Sequence, residues 1–263
     1  MRDLWEHRDL IRELIKRELN QRYRGSYLGL AWSVVNPLVM LLVYTFVFSL
    51  FLKVRWQVAG EQTPTQEFAL IIFSGLIPFT VFSEVLNKST TLIVSVPNYV
   101  KKVVFPLQIY PIVLFGAALL TSLVSVVLVL VGNMVLMHTI SKTLYLLPLA
   151  YLPLIFLSLG LGWFFASLGV YVRDIAQGMP VVTQILLFMS TIFYPASAVP
   201  KSLKFIFDIN PLTTIVDCFR QVLLWGKPLP WISWGIWTGI TAILALAGYY
   251  WFMSTKKGFA DII

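Results

Sequence analysis

The chain has 263 residues, of which 58% are hydrophobic and only 12% charged. Soluble domains carry about 25% charged residues, so this composition, with a mean hydropathy of +0.81, excludes an ordinary soluble fold. The formal net charge of +8 marks span ends and contacts with anionic membrane lipids rather than nucleic acid, and the lone Cys218 excludes an intrachain disulfide.

The first 29 residues are too charged to hold the apolar core of a cleavable signal peptide. Within them, residues 2–19 predict an amphipathic helix. Asp3 and Glu6 fit a capping box, and Leu4, Ile11, Leu14, Ile15 and Leu19 share one face. Arg8, Arg12, Glu13 and Lys16 occupy the other. A helix lying in lipid headgroups and one docked to a soluble partner explain this pattern equally well. The arm then enters the membrane through residues 21–37, QRYRGSYLGLAWSVVNP. Arg22 and Arg24 put charge beside hydrocarbon, Gly25 and Gly29 allow a turn, and Trp32 suits headgroup depth.

Continuous apolar runs, rather than alternation at period two, select helices over a barrel. Spans are expected at 30–52, 68–86, 106–137, 144–172, 178–198 and 231–253. Residues 87–105 are polar enough to leave the membrane, with a short helix between Pro97 and Pro106 that exposes Lys101 and Lys102. Residues 200–230 are apolar but divided by Asp208, Asn210 and Pro211 into pieces too short to cross. Two short helices forming a re-entrant hairpin fit that length, and such a hairpin persists only against protein or a cavity. Trp231, Trp234 and Trp237 begin the last span, and Tyr249, Tyr250 and Trp251 end it, as interfacial belts.

The expected fold is therefore an all-α polytopic membrane protein with six transmembrane helices. It has an amphipathic interface helix over 1–29, a permease domain over 30–263 and an outer-face hairpin between spans five and six. Six spans put both termini on one side, where 13 Lys and Arg fall against seven opposite. The positive-inside rule makes that side cytoplasmic. A rival topology counts one hairpin limb as a seventh span.

Catalytic, cofactor and metal sites are not expected. His7 and His138 fall on opposite faces, and the sequence has no H-E-x-x-H, G-x-S-x-G or phosphate-binding lysine loop. An intramembrane ionisable residue is a functional hypothesis by default. Glu84 comes nearest, but it lies close to a span end with Lys88 four residues on. A gradient-driven flippase would rest on Glu84, and a membrane enzyme acting on lipid-linked sugars on Asp208, Asp217 and Arg220. Tyr44, Phe48 and Phe51 share one helical face, as do Gly75, Phe79 and Phe82. Such faces could line a glycan path by stacking on sugar rings, or pack on lipid and neighbouring helices. Asp217 and Arg220 are spaced to pair, either as a gate or as a solvated edge. Arg173 and Asp174 read as a helix-end anchor, with coupling as the alternative.

The stretches LIKRELNQRYRGSYLGLAWSVVNPL, VPNYVKKVVFP, LGVYVRDIAQ and INPLTTIVDCFRQVLLWGKP give nearly the whole chain a resemblance to ABC type-2 polysaccharide export permeases. That group handles O-antigen, teichoic acid and capsule. The resemblance implies a half-transporter in the bacterial inner membrane, with two copies forming a pore. Two separate ABC ATPase subunits would bind ATP and Mg, and the cargo would be a polysaccharide on undecaprenyl diphosphate. It also implies that Arg22, Tyr23 and Arg24 belong to an interface helix. Asn98, Tyr99, Lys101 and Lys102 would receive the ATPase stroke, and the helices flanking Asn210 and Pro211, with Asp217 and Arg220, would gate the exit. A related exporter of a drug or smaller lipid remains an alternative.

Overall fold

The computed structural model describes residues 7–22, 25–44, 46–47, 57–58, 61–62, 65–101, 105–136, 141–195 and 198–263. The elements in chain order are α1 (Arg8–Arg22), α2 (Trp32–Tyr44), a two-strand antiparallel ribbon of β1 (Gln57–Val58) and β2 (Glu61–Gln62), and α3 (Thr65–Leu92). Then follow α4 (Pro97–Lys101), α5 (Tyr110–Leu136), α6 (Leu147–Tyr171) and α7 (Ile175–Phe188). The chain finishes with α8 (Lys204–Ile209), α9 (Pro211–Arg220), α10 (Trp231–Thr255) and α11 (Phe259–Ile262). Apart from the ribbon, the described elements are helical. Among the described residues, four helical segments are long and apolar enough to cross a membrane: Phe68–Leu92, Leu107–Leu136, Leu144–Tyr171 and Trp231–Ile262. The chain is a multi-pass membrane protein.

The axis of the bundle is α3. It touches α2, α5, α6, α7 and α9, and Phe68, Ile71, Ile72 and Val85 on it are completely buried. Pro78 interrupts the α3 ladder, which the surrounding helices tolerate as neighbours do in membranes. Helix α10 differs sharply, since it packs on α6 along one thin seam and leaves Ile232, Ile236, Ile243 and Leu246 exposed. The seam is built from small residues. A Cβ at Gly160 would stand 2.8 Å from the Ala245 Cα, and one at Gly248 would collide with the Gly160 carbonyl. Close backbone approach replaces the hydrophobic drive that is absent between helices in lipid.

The second expected span stops at residue 86, yet α3 continues to Leu92. Several donors of its polar turn find partners within the protein. The Asn87 amide donates to Thr183 Oγ1 at 3.3 Å, Lys88 Nζ reaches Glu18 at 3.0 Å, and the Thr90 hydroxyl donates to the Asn87 carbonyl. Gly169 of α6 lets the Thr90 backbone come into contact, because any Cβ there would strike the Thr90 carbonyl. Polarity alone did not end the helix.

The arm also differs in extent from the expected 2–19. It runs Arg8–Arg22 among described residues, and the Asp3–Glu6 capping box lies outside them. Its half-buried face, Ile11, Leu14, Ile15 and Leu19, is the expected one. Ile15 seats on Gly116 of α5, where a Cβ would collide with its Cδ1. The turn after the arm takes Gly25 and Gly29 to φ of +81° and +50°, the left-handed region glycine enters without a Cβ penalty. Trp32 Nε1 donates to Ser26 Oγ at 2.8 Å across that turn.

Candidate functional site

Helices α3 and α5 are antiparallel, so the C-terminal half of α3 and the N-terminal half of α5 share one end of the bundle. At that end, α1 lies across both, and its fastening is ionic. Arg22 Nη2 stands 2.5 Å from Glu84 Oε1, and Arg22 Nη1 donates to Glu84 Oε2 at 3.1 Å and to Thr121 Oγ1 at 3.3 Å. Lys88 Nζ lies 3.0 Å from both Glu84 and Glu18. Two cations and two carboxylates thus close a neutral network joining α1 to α3 and α5. Glu84 has the partner expected four residues on, and a second, Arg22, that no local pattern could reveal. Tyr23 and Arg24 lie outside the described residues.

Beside this network sits α4. A cavity of about 340 Å³ separates α4 from α1 and is lined by Arg17, Gln21, Pro97, Asn98, Tyr99 and Tyr110. Asn98 and Lys101 are exposed on α4, and Lys102 lies outside the described residues. Tyr99 turns inward, its ring 4.9 Å from Phe105 and 6.3 Å from Tyr110. The residues expected to form one contact surface divide into an exposed pair and an aromatic anchor. Tyr110, Phe252 and Phe259 continue that anchor beneath α4.

The expected aromatic faces need correction. Phe79 and Phe82 are 6% and 2% exposed and pack inside the chain's own core, because α3 is enclosed on nearly every side. They do not reach an open face. Tyr44 is half-buried with its ring 6.2 Å from Phe193, while Phe48 and Phe51 lie outside the described residues. Between α2, α3 and α5 is a cavity of about 290 Å³, lined by Trp32, Asn36, Tyr44, Thr80, Glu84 and Ser122 among others. Asn36 on α2, Thr80 on α3, and Gln177 and Gln184 on α7 are exposed. Asn36 and Thr80 line the cavity between α2 and α3, and α7, which carries the two glutamines, also lies against α3. The exposed face of α10 is apolar along its middle, with Ile236, Ile240, Ile243 and Leu246, and its exposed hydroxyls, Ser233 and Ser254, fall near its two ends. The sequence reading missed these glutamines, although an amide inside an apolar run is a legible signal.

At the other end of α3 lies the α8–α9 hairpin. Asn210 caps α9 by accepting from Leu212 N at 3.0 Å, with Pro211 at the first helical position, where its missing N–H is no loss. The same Asn210 donates from Nδ2 to the Met189 carbonyl at 2.9 Å. Arg220, 1% exposed, donates Nε to Ile71 O at 3.2 Å, Nη1 to Thr191 O at 2.6 Å and Nη2 to Ile192 O at 2.7 Å. The Asp217 carboxylate is 3.7 Å from Nη1. The expected pair is present, but backbone carbonyls carry most of the contact, and the solvated-edge reading fails for Arg220. After it, α9 loosens into a π-turn, Gln221–Trp225. Its freed Val222 carbonyl accepts from Ser141 Oγ and from Thr143 Oγ1, and its Leu223 carbonyl from Asn133 Nδ2 at 3.3 Å.

Arg173 and Asp174 are exposed between α6 and α7, and Asp208 lies in the last turn of α8. Asp208 is on α8, while Asp217 and Arg220 pair on α9. Among the described residues no cluster of three or more His, Cys, Asp or Glu is placed to hold a metal.

With this geometry in view, comparison with known proteins finds the ABC-2 type transporter family model matching residues 9–224. The chain is 26% identical over 257 residues to the O-antigen export system permease protein RfbA of Klebsiella pneumoniae, covering 97% of this chain and 95% of that one. It is 25% identical over 270 residues to RfbA of Myxococcus xanthus, covering 100% and 98%. Against the polysialic acid transport protein KpsM of Escherichia coli, identity is 26% over 253 residues, covering 91% and 92%.

Proposed function

The chain belongs to the ABC-2 type transporter family, and from that premise we propose that it is the permease subunit of an ATP-driven polysaccharide exporter. Two copies form the channel, and two ABC ATPase subunits supply the work, since the sequence carries no phosphate-binding loop of its own. The cargo is a polysaccharide of O-antigen type linked to undecaprenyl diphosphate, moved across the bacterial inner membrane. Supporting the cargo class are the full-length relatives named for O-antigen export.

The observation that carries the paired-copy reading is the exposure of amides on α2 and α7, two helices of largely apolar sequence. Gln177 and Gln184 of α7 and Asn36 of α2 are exposed, and an amide facing hydrocarbon goes without hydrogen bonds. A second copy and a water-filled path between the two would relieve that. The apolar face of α10 suits lipid directly. A long polymer also needs a weakly binding path rather than a tight pocket, and a polar seam between two copies provides one.

In this reading, α2 and α7 complete spans one and five beside the four long helices, both termini are cytoplasmic, and α1 with α4 faces the ATPase. Asn98 and Lys101 contact it directly, while Tyr99 passes the push to the aromatic cluster below. The α8–α9 hairpin is re-entrant at the outer face. Likeness to KpsM favours a second cargo, a capsular polysaccharide.

Gentle purification from native membranes with subunit mass tests the assembly. Two copies of this chain with two P-loop ATPases are expected. The chain emerging alone, with export surviving ATP depletion, would refute it. The glycan that accumulates on deletion distinguishes the two cargoes.

A further inference from the structure

Both ends of α9 grip the exit of α7. A helix leaves its last carbonyls without intrahelical partners, and in hydrocarbon no water replaces them. Here the partners are side chains. Ser190 Oγ donates to Leu187 O at 2.9 Å and Tyr194 Oη donates to Phe188 O. Asn210, before α9, takes Met189 O; Arg220, at its end, takes Thr191 O and Ile192 O. Arg220 also reaches Ile71 O on α3, so one guanidinium ties three elements. Gly75 leaves the space for it, because a Cβ there would lie 3.1 Å from Arg220 Nη2 and 3.1 Å from Val216 Cγ1.

We infer that Arg220 is a positioning residue for export: it makes the hairpin, the exit of α7 and the adjoining turn of α3 a single moving body. Resting on the exporter reading above, this specifies how the outer mouth opens. A hairpin swinging away alone would strand the Met189, Thr191, Ile192 and Ile71 carbonyls and a buried cation together. Moving as a unit with α7 and α3 strands none of them. The mouth therefore opens between the two copies, not between the hairpin and its own bundle.

The test is a covalent substitute for the guanidinium. Gly75→Cys and Val216→Cys, in a Cys218→Ala background, place two thiols where the hairpin meets α3. The full chain is expressed with its native ATPase, and appearance of the host's own surface polysaccharide is measured before and after oxidation. A Cβ at position 75 crowds the guanidinium in both redox forms, so the comparison is within one chain: with Arg220 present, the double-cysteine chain is expected to export equally well oxidised and reduced. Arg220→Met is expected to lower export at least tenfold, and bridging that variant to restore at least half of it. Arg220→Lys, keeping the charge but not the fork, is expected to fall between. A role in folding alone would not be rescued by oxidation after membrane insertion.

Export lost on bridging with Arg220 in place, and regained on reduction, would overturn the inference. Undiminished export by Arg220→Met, or failure of the bridge to restore a membrane-inserted Arg220→Met chain, would also overturn it. If Arg220→Met does not accumulate, the bridged chain with Arg220 still decides. The exporter reading is tested separately by the unsubstituted chain, whose lack of ATP-dependent export would sink that reading instead.

Discussion

The two ends of the bundle are each fastened by an arginine, but in opposite ways. Arg22 is held by a carboxylate, in a neutral network with Lys88 and Glu18, with the Arg22 and Glu84 side chains 13% and 27% exposed. Arg220 is 1% exposed and held by main-chain carbonyls of two other elements, with Asp217 as an ion-pair partner beyond hydrogen-bond distance. The first arrangement is adjustable, since four side chains can trade partners while charge stays balanced. The second is rigid, because carbonyls cannot move without their helices. An end that receives a stroke suits the first design, and an end whose parts travel together suits the second.

The comparison is broken most severely by Arg220→Met. It leaves the Ile71, Thr191 and Ile192 carbonyls without their donor, at about 1–3 kcal/mol for each buried group left unsatisfied, and the thermal unfolding temperature of the purified complex should drop accordingly. Smaller in effect is Gly75→Val, which crowds the guanidinium and Val216 and costs about 1–3 kcal/mol as overpacking, again read by melting. At the other end, Glu84→Gln leaves Arg22 and Lys88 without their shared carboxylate, worth about 1–3 kcal/mol for hydrogen bonds to charged groups. Protease access to the α1–α2 turn should rise while export continues. Lys88→Met is the mildest, at about 0.2–1 kcal/mol for a partly exposed pair. Raising salt to about 1 M, where the Debye length is about 3 Å, should loosen α1 in hydrogen exchange and leave the hairpin unchanged.

How much of this the sequence disclosed follows from the same contrast. The Glu84–Lys88 pair was readable, because residues four apart on a helix face one another. Arg22 meeting Glu84 across 62 positions was not. The hairpin was readable from the lengths of its pieces and from Asn210 and Pro211, which cap and start α9 as their chemistry demands. What Arg220 holds was hidden, because its partners are backbone carbonyls and every residue has one. Phe79 and Phe82 were rightly placed on a common face, but in an α3 that is apolar all round nothing marks which face turns inward. The extension of α3 past Leu86 was missed for the converse reason. Asn87 and Lys88 look like a loop until their partners on α7 and α1 are known.

In the proposed exporter an ATPase partner does the work, and Glu84 belongs to a clamp rather than to an ion relay. The most direct measurement uses inverted membrane vesicles holding the complex, its ATPase and endogenous lipid-linked polysaccharide. Glycan entry is followed with ATP present and with ionophores collapsing every ion gradient, for the native chain and for Glu84→Gln. The account predicts ATP-dependent entry that ionophores leave intact and that Glu84→Gln retains. Entry that stops with the gradient and with loss of the Glu84 carboxylate, while ATP is present, would contradict it.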